Sequence, residues 1–353
     1  MSKRSETKMF GPLARRKILS VMPTYRCTAE CENCGTMSSP REKARLTLSD
    51  MLRAIDEAAN EGYRLVVFTG GEATLVGADL NQAIEYAVSR GLGTRVVSNA
   101  HWANSDRSAQ KKIRNLAAVG LNEINFSTGD QHIRFVPLEN IIRAITAAVS
   151  AGLRVAVMVE TLAERVITKE SITQHPAYKT LINSYPGVNV KIHESPWMPL
   201  DPSQIHSYPE GMVVNKTNLE YRVGCDSIFS TTTLQADGRL GACCGLGMRL
   251  IPELQLGHIS TTTIGEADEA AAADFLKRWI RVEGPEQILA WAAEHNPEIH
   301  WENMYAHRCQ ACIRLYQDPL VHEVITQYYE DKIPDILFSE WLLYHYLGEI
   351  NES

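Results

Sequence analysis

Four segments of this chain, EGYRLVVFTG, RGLGTRVVSN, VGLNEINFST and AGLRVAVMVE, follow one grammar: a glycine, then a short apolar run. The glycines Gly62, Gly91, Gly120 and Gly152 recur about every thirty residues, the length of one strand, loop and helix. A glycine in that place fits the left-handed residue that closes a helix. Ahead of Gly62, residues Leu48, Met51, Leu52, Ile55, Ala58 and Ala59 keep helical spacing, and Thr47 with Asp50 three residues on supplies a start signal. The strands read as ILSVM (18–22), LVVF (65–68), RVVS (95–98), EINFS (123–127), VAVMV (155–159) and VNVKI (188–192). These runs do not alternate with polar residues, which predicts strands covered on both faces, as in a parallel sheet under helices. Six units before about residue 200 are too few to close an eight-fold barrel. The expected α/β fold is therefore an open, partial (β/α)6 barrel, with a doubly wound sheet as the alternative.

Parallel α/β folds bind ligands beyond the C-terminal ends of their strands. Here those ends carry Cys27 to Cys34, then Gly70, Gly71 and Glu72, then Ser98 and Asn99, then Ser127, Thr128 and Asp130, then Glu160, and last His193 and Glu194. Six polar strand ends on one rim predict a site there. Composition narrows its chemistry. A formal charge of -7 over 353 residues offers no footprint for nucleic acid, and the basic run Arg15 to Lys17 reads as a solvated approach to the first strand. No apolar run reaches the ~18 residues of a membrane span. The opening MSKRSETKMFGPLARR lacks the apolar centre of a signal peptide. A cytoplasmic location follows, in which eight cysteines argue for metal or catalysis over a disulfide framework.

Three of the eight, Cys27, Cys31 and Cys34, stand in YRCTAECENCG with spacing C-x3-C-x2-C. Three thiolates on one loop can hold zinc with a fourth ligand, form a redox pair with a spare, or hold three irons of a [4Fe-4S] cluster. The nearest further ligands, Glu30 and Glu32, lie inside the loop and are expected to face solvent. The motif at the end of the first strand of a βα repeat, followed by FTGGEATL (68–75) after the second, resembles the radical S-adenosylmethionine (SAM) superfamily. The resemblance implies a [4Fe-4S] cluster on Cys27, Cys31 and Cys34 whose open iron chelates SAM, so that one electron yields a 5'-deoxyadenosyl radical that abstracts a substrate hydrogen atom. It further implies that Gly70 and Gly71 allow close approach of the methionyl group and that Glu72 accepts from its ammonium. Ser98, Asn99, Ser127 and Asp130 would then meet the ribose and carboxylate. Asn33 stands where the family commonly has an aromatic residue, which leaves adenine packing to Met22, Tyr25 or Met158.

The other five cysteines are Cys225, Cys243, Cys244, Cys309 and Cys312. ADG at 236–238 reads as a hairpin turn between Cys225 and Cys243, and HRCQAC adds a later C-x2-C knuckle. This arrangement resembles the SPASM and twitch auxiliary-cluster domains, the twitch form being the closer because nothing cysteine-bearing follows Cys312. The resemblance implies a second [4Fe-4S] cluster on Cys225, Cys243, Cys309 and Cys312, with a four-cysteine zinc site as the structural alternative. Cys244 is left over, either a buried neighbour of a ligand or a hydrogen-atom donor to a substrate radical; Cys243 and Cys244 could exchange roles. The expected organisation is a barrel over 1–205, a small α+β twitch-like domain over 206–320 and a helical tail over 321–353. The expected activity is modification of a ribosomally made peptide by crosslinking or epimerisation; oxidation of a small alcohol and a non-enzymatic metal-binding module are the alternatives. A reductant such as flavodoxin or ferredoxin is an expected partner. So is a separate leader-peptide-binding protein, because about 26 residues ahead of Cys27 are too few for a fused one. His132, Arg134, His193, Glu194 and Trp197 are weighed as substrate-facing residues, and the aromatic stretch 328–350 as core or partner packing.

Overall fold

A computed structural model describes residues 17–201 and 203–345. The expectations about the N-terminal sixteen residues and the last part of the tail fall outside them. Among the described residues nine strands form one sheet: β1 (Ile18–Val21), β2 (Leu65–Phe68), β3 (Gly93–Ser98), β4 (Glu123–Thr128), β5 (Arg154–Thr161), β6 (Lys191–Pro196), β7 (Thr231–Leu234), β8 (Arg239–Gly241) and β9 (Gln255–His258). Their order is β6-β5-β4-β3-β2-β1-β7-β8-β9. The six repeat strands are parallel in sequential order, with helices between them, as an open barrel requires.

The repeat glycines do what their spacing predicts. Gly62, Gly91, Gly120 and Gly152 all have positive φ, between 77° and 91°. After each, the next N–H reaches five residues back, as in Tyr63 to Ala58 and Leu92 to Ala87, which satisfies a carbonyl at the helix end. The helix Leu48–Asn60 starts with Thr47 accepting from the Asp50 N–H. Three elements differ from expectation. The sixth strand begins at Lys191, three residues later than the apolar run suggests, because its register pairs Met158 with His193 and Glu160 with Ser195. The strands are also not buried equally on both faces: β3 and β4 alternate half-buried with buried residues. Their buried face packs under the helices, and the other looks inward.

The third difference concerns the second half. The ADG turn does join a hairpin, β7 to β8, but β7 also pairs in parallel with β1 from Ile18↔Thr231 to Val21↔Leu234. Leu234, Leu240, Ile259, Ile264 and Ala267 accordingly share the barrel core. Asp268 fastens this junction, accepting from Lys17 Nζ (2.5 Å), Tyr63 Oη (2.9 Å) and Thr232 Oγ1 (2.8 Å). A second core, with Trp279, Ile288, Leu289 and Ile313, extends to Val321, Val324, Ile325 and Ile336, so the tail helices pack with the segment before them. Among the described residues no helix is long and apolar enough to cross a membrane.

Candidate active site

The inner face of the sheet opens into a cavity of about 510 Å³ that all eight cysteines line. Two cysteine sets almost two hundred residues apart thus face one chamber. The first set sits on a loop held from three directions. From the barrel, Gly71 N–H donates to Thr24 O and Glu72 N–H to Arg26 O, both at 2.9 Å. From the second half, Gly247 N–H donates to Gly35 O (2.8 Å), and Arg249 Nη1 to Thr36 O (2.6 Å) while its guanidinium stacks 3.5 Å from the Tyr25 ring centroid. From the exit of β6, Trp197 Nε1 donates to Glu32 O (3.0 Å), and Asn33 Oδ1 accepts from Leu200 N–H (3.3 Å). Asn33 has φ 56°, a left-handed conformation that asparagine adopts more readily than an aromatic residue. The departure at Asn33 is therefore a backbone and capping requirement.

Gly71 is fixed by contact. A Cβ there would lie 2.2 Å from Arg26 O, and one on Gly70, whose φ is 104°, 2.9 Å from Thr24 O. Glu72 is fully buried and does not line the cavity. Its carboxylate accepts from Thr74 Oγ1 (2.6 Å), Ser98 Oγ (2.9 Å) and Asn99 N–H (2.9 Å), binding the ends of β2 and β3 together. Asn99 Nδ2 then donates to Thr28 Oγ1 (3.0 Å) and towards Cys27 Sγ (3.6 Å), which also accepts from Ala29 N–H (3.4 Å).

Of the remaining residues singled out, Gly70, Gly71, Ser98, Asn99, Ser127 and Met158 line the cavity. Asp130 does not: its carboxylate accepts from the Val166 and Ile167 N–H groups at 2.9 and 2.8 Å and so holds the loop after β5. Met22 and Tyr25 are buried beside Ala236 and do not line the cavity, which leaves Met158 as the apolar side chain of the three that does. Arg134 pairs with Gln131 and Glu194 with Arg165.

A pairing that the sequence does not reveal joins His132 to Glu160. His132 Nδ1 lies 2.9 Å from Glu160 Oε2, and the ring stands edge-on to Trp197 at 5.8 Å. All three line the cavity. The two partners are far apart in sequence and meet because β4 and β5 are neighbours.

In the second set, Cys243 is buried and Cys244 exposed. A Cβ on Gly245 would sit 3.4 Å from Cys243 Sγ and 3.2 Å from Cys309 Sγ, so this glycine keeps a cradle between two thiols. Cys244 Sγ lies 3.3 Å from Ser227 Oγ. Burial pushes the Cys27 thiol up to about 11 and the Cys31 and Cys243 thiols up to about 12. It raises Cys309 and Cys312 well above the ordinary thiol value too. Buried thiols gathered in this way are neutral without a metal and are deprotonated by one. The donor set fits groups bound through thiolate, with N–H donors aimed at Cys27 and room kept between Cys243 and Cys309. Among the described residues no three His, Cys, Asp or Glu side chains are grouped closely enough to hold a single ion.

Known proteins resemble this chain over part of its length. Residues 21–175 match the model described as Radical SAM superfamily. The chain is 25% identical over 126 residues to YydG of Bacillus subtilis (strain 168), whose name assigns it provisionally to peptide biosynthesis; the match spans 35% of this chain and 40% of that protein's length. Two solved structures share the fold. Native anSMEcpe with bound AdoMet and Cp18Cys peptide has TM-score 0.54 and 12% identity over 92% of this chain and 99% of that one. A hexahistidine-tagged anSMEcpe with bound AdoMet has TM-score 0.53 and 12% identity over 91% and 98%. The matched segment, residues 21–175, contains the cysteine loop at the end of β1 and the glycines after β2.

Proposed function

We propose that this chain is a radical SAM enzyme that acts on a peptide and inverts a backbone Cα centre. The observation that carries the reading is the exposed Cys244 thiol on the same cavity as the Cys27, Cys31 and Cys34 loop. A [4Fe-4S] cluster on those three thiols, with SAM bound, would supply a 5'-deoxyadenosyl radical able to take a hydrogen atom from an unactivated C–H bond. Gly70 and Gly71 leave backbone exposed for the methionyl end, Ser98, Asn99 and Ser127 offer polar groups along the wall, and Met158 offers apolar surface to the adenine. Glu72 and Asp130, with their carboxylates committed to the protein, act as positioning residues.

Cys225, Cys243, Cys309 and Cys312 would hold an auxiliary cluster. Cys244 S–H would return a hydrogen atom to the substrate Cα from the opposite side, and one electron from the external reductant with one solvent proton would restore its thiol. The provisional peptide-biosynthesis name of YydG supports a peptide as substrate. A second reading, oxidation of a small alcohol, is favoured by the His132–Glu160 pair, which could accept a hydroxyl proton at the cavity wall.

The test is to incubate the reconstituted chain with SAM, a reductant and peptides from adjoining reading frames in deuterated water. One solvent deuterium on an inverted Cα is expected, with Cys244→Ala still forming 5'-deoxyadenosine but releasing no epimer. A product lighter by two hydrogens and free of solvent deuterium would overturn epimerisation in favour of oxidation or crosslinking.

A further inference from the structure

The cysteine loop has an outer side as well as an inner one. Behind it lies a second cavity of about 900 Å³, lined by Arg26, Arg41, Lys43 and Arg45 together with Cys27 itself. Cys27 thus borders the inner chamber and this outer pocket at once, and it is the one lining residue that the two share. The four cations are exposed. Arg41 pairs with Glu30 and Arg45 with Asp79, and Arg26 and Lys43 have no acidic partner among the described residues. Glu42 is the one acidic residue lining the pocket, and it is half-buried. This gives a positive patch on a chain whose formal charge is -7.

We infer that this patch is the docking surface for an acidic one-electron carrier protein. The inference rests on the proposed function, because a carrier is needed only if the three thiols hold a redox group. That group gains one electron per turnover and the carrier loses one, with no bond formed between them. The electron cannot be delivered through the inner chamber while substrate fills it, whereas the outer pocket reaches Cys27 and shares no other lining residue with that chamber. The bonds from Gly71, Arg249 and Trp197 keep the loop in place when a partner leans on it. Complementary charge at a rim of this kind acts on encounter rate and salt dependence.

The test titrates the reconstituted full chain with an oxidised, acidic flavodoxin by calorimetry, at about 50 mM and about 200 mM salt. The wild type is compared with Arg41→Glu/Lys43→Glu, two residues that do not line the inner cavity. The double variant is expected to weaken binding about tenfold or more at low salt, and added salt to close most of that gap. Its melting temperature and its low-temperature EPR signal after dithionite reduction are expected to match the wild type. A Kd within about twofold of wild type, salt-independent binding, or no wild-type binding at all would overturn the docking surface. Failure of the underlying reading looks different: the wild type would then give no reducible iron-sulfur signal with dithionite, whatever its affinity for the carrier.

Discussion

Replacing Gly71 by alanine tests the central packing argument. The new Cβ would lie 2.2 Å from Arg26 O and 2.7 Å from the carbonyl carbons of Tyr25 and Arg26. These are backbone atoms, so relief requires the cysteine loop to move by roughly an ångström, against overpacking costs of about 1–3 kcal/mol. The movement also breaks the bonds from Gly71 N–H to Thr24 O and from Glu72 N–H to Arg26 O, each worth about 1 kcal/mol. The expected loss is about 3–5 kcal/mol, which for a chain of this size lowers Tm by roughly 5 °C. Gly62→Ala is the control: its φ is 77° but nothing lies within 4 Å of the added Cβ, so it carries only the left-handed penalty of about 1–2 kcal/mol. Melting curves of the metal-free variants and iron counts after reconstitution read the two effects. Gly71→Ala should lose the iron of one cluster as well as stability, and Gly62→Ala stability alone. Full iron in Gly71→Ala, with a Tm equal to that of Gly62→Ala, would refute the claim that Gly71 positions Cys27.

Glu72→Gln should cost about 2–3 kcal/mol in urea unfolding, since with the amide oxygen kept on Thr74 and Ser98 its NH2 must face the Asn99 N–H; a change under about 0.5 kcal/mol would refute this. Alkylation of the metal-free chain followed by peptide mapping should modify exposed Cys244 first, while Cys27 and Cys31, held up to about 11 and about 12 by burial, gain about tenfold in rate per pH unit. For the same reason cluster assembly releases protons and should speed up between about pH 7 and pH 9; a fall over that range would contradict it. Removing one side of the buried Arg278–Glu340 pair by Glu340→Ala should cost about 3–5 kcal/mol and loosen the helix Ile333–His345, as seen by hydrogen exchange.

Periodicity carried most of the barrel. Its strands, helix ends and the capping by Thr47 depend on neighbours in the chain, and local chemistry is what a single sequence displays. The cysteine loop and the two glycines beside it were legible for the same reason. Pairings between distant segments were not. Glu160 meets His132 only because β4 and β5 adjoin, and Arg249 reaches Tyr25 from the far half of the chain. Glu72 and Asp130 look in sequence like ligand-facing carboxylates, yet each is taken up by backbone N–H groups that no spacing rule announces. Asn33 reads as an anomaly until its positive φ and its bond to Leu200 are known.

The parallel pairing of β7 with β1 bears on how this chain can be dissected. A fragment ending near residue 205, where the barrel repeat stops, would leave β1 with a bare row of N–H and C=O groups along one side. It would also remove Leu234, Leu240 and Ile264 from the core that β1 shares with them. An exposed strand edge of that kind invites pairing with other chains. The N-terminal half produced by itself should therefore accumulate as aggregates, and soluble material should return when residues 206–353 are supplied as a second polypeptide.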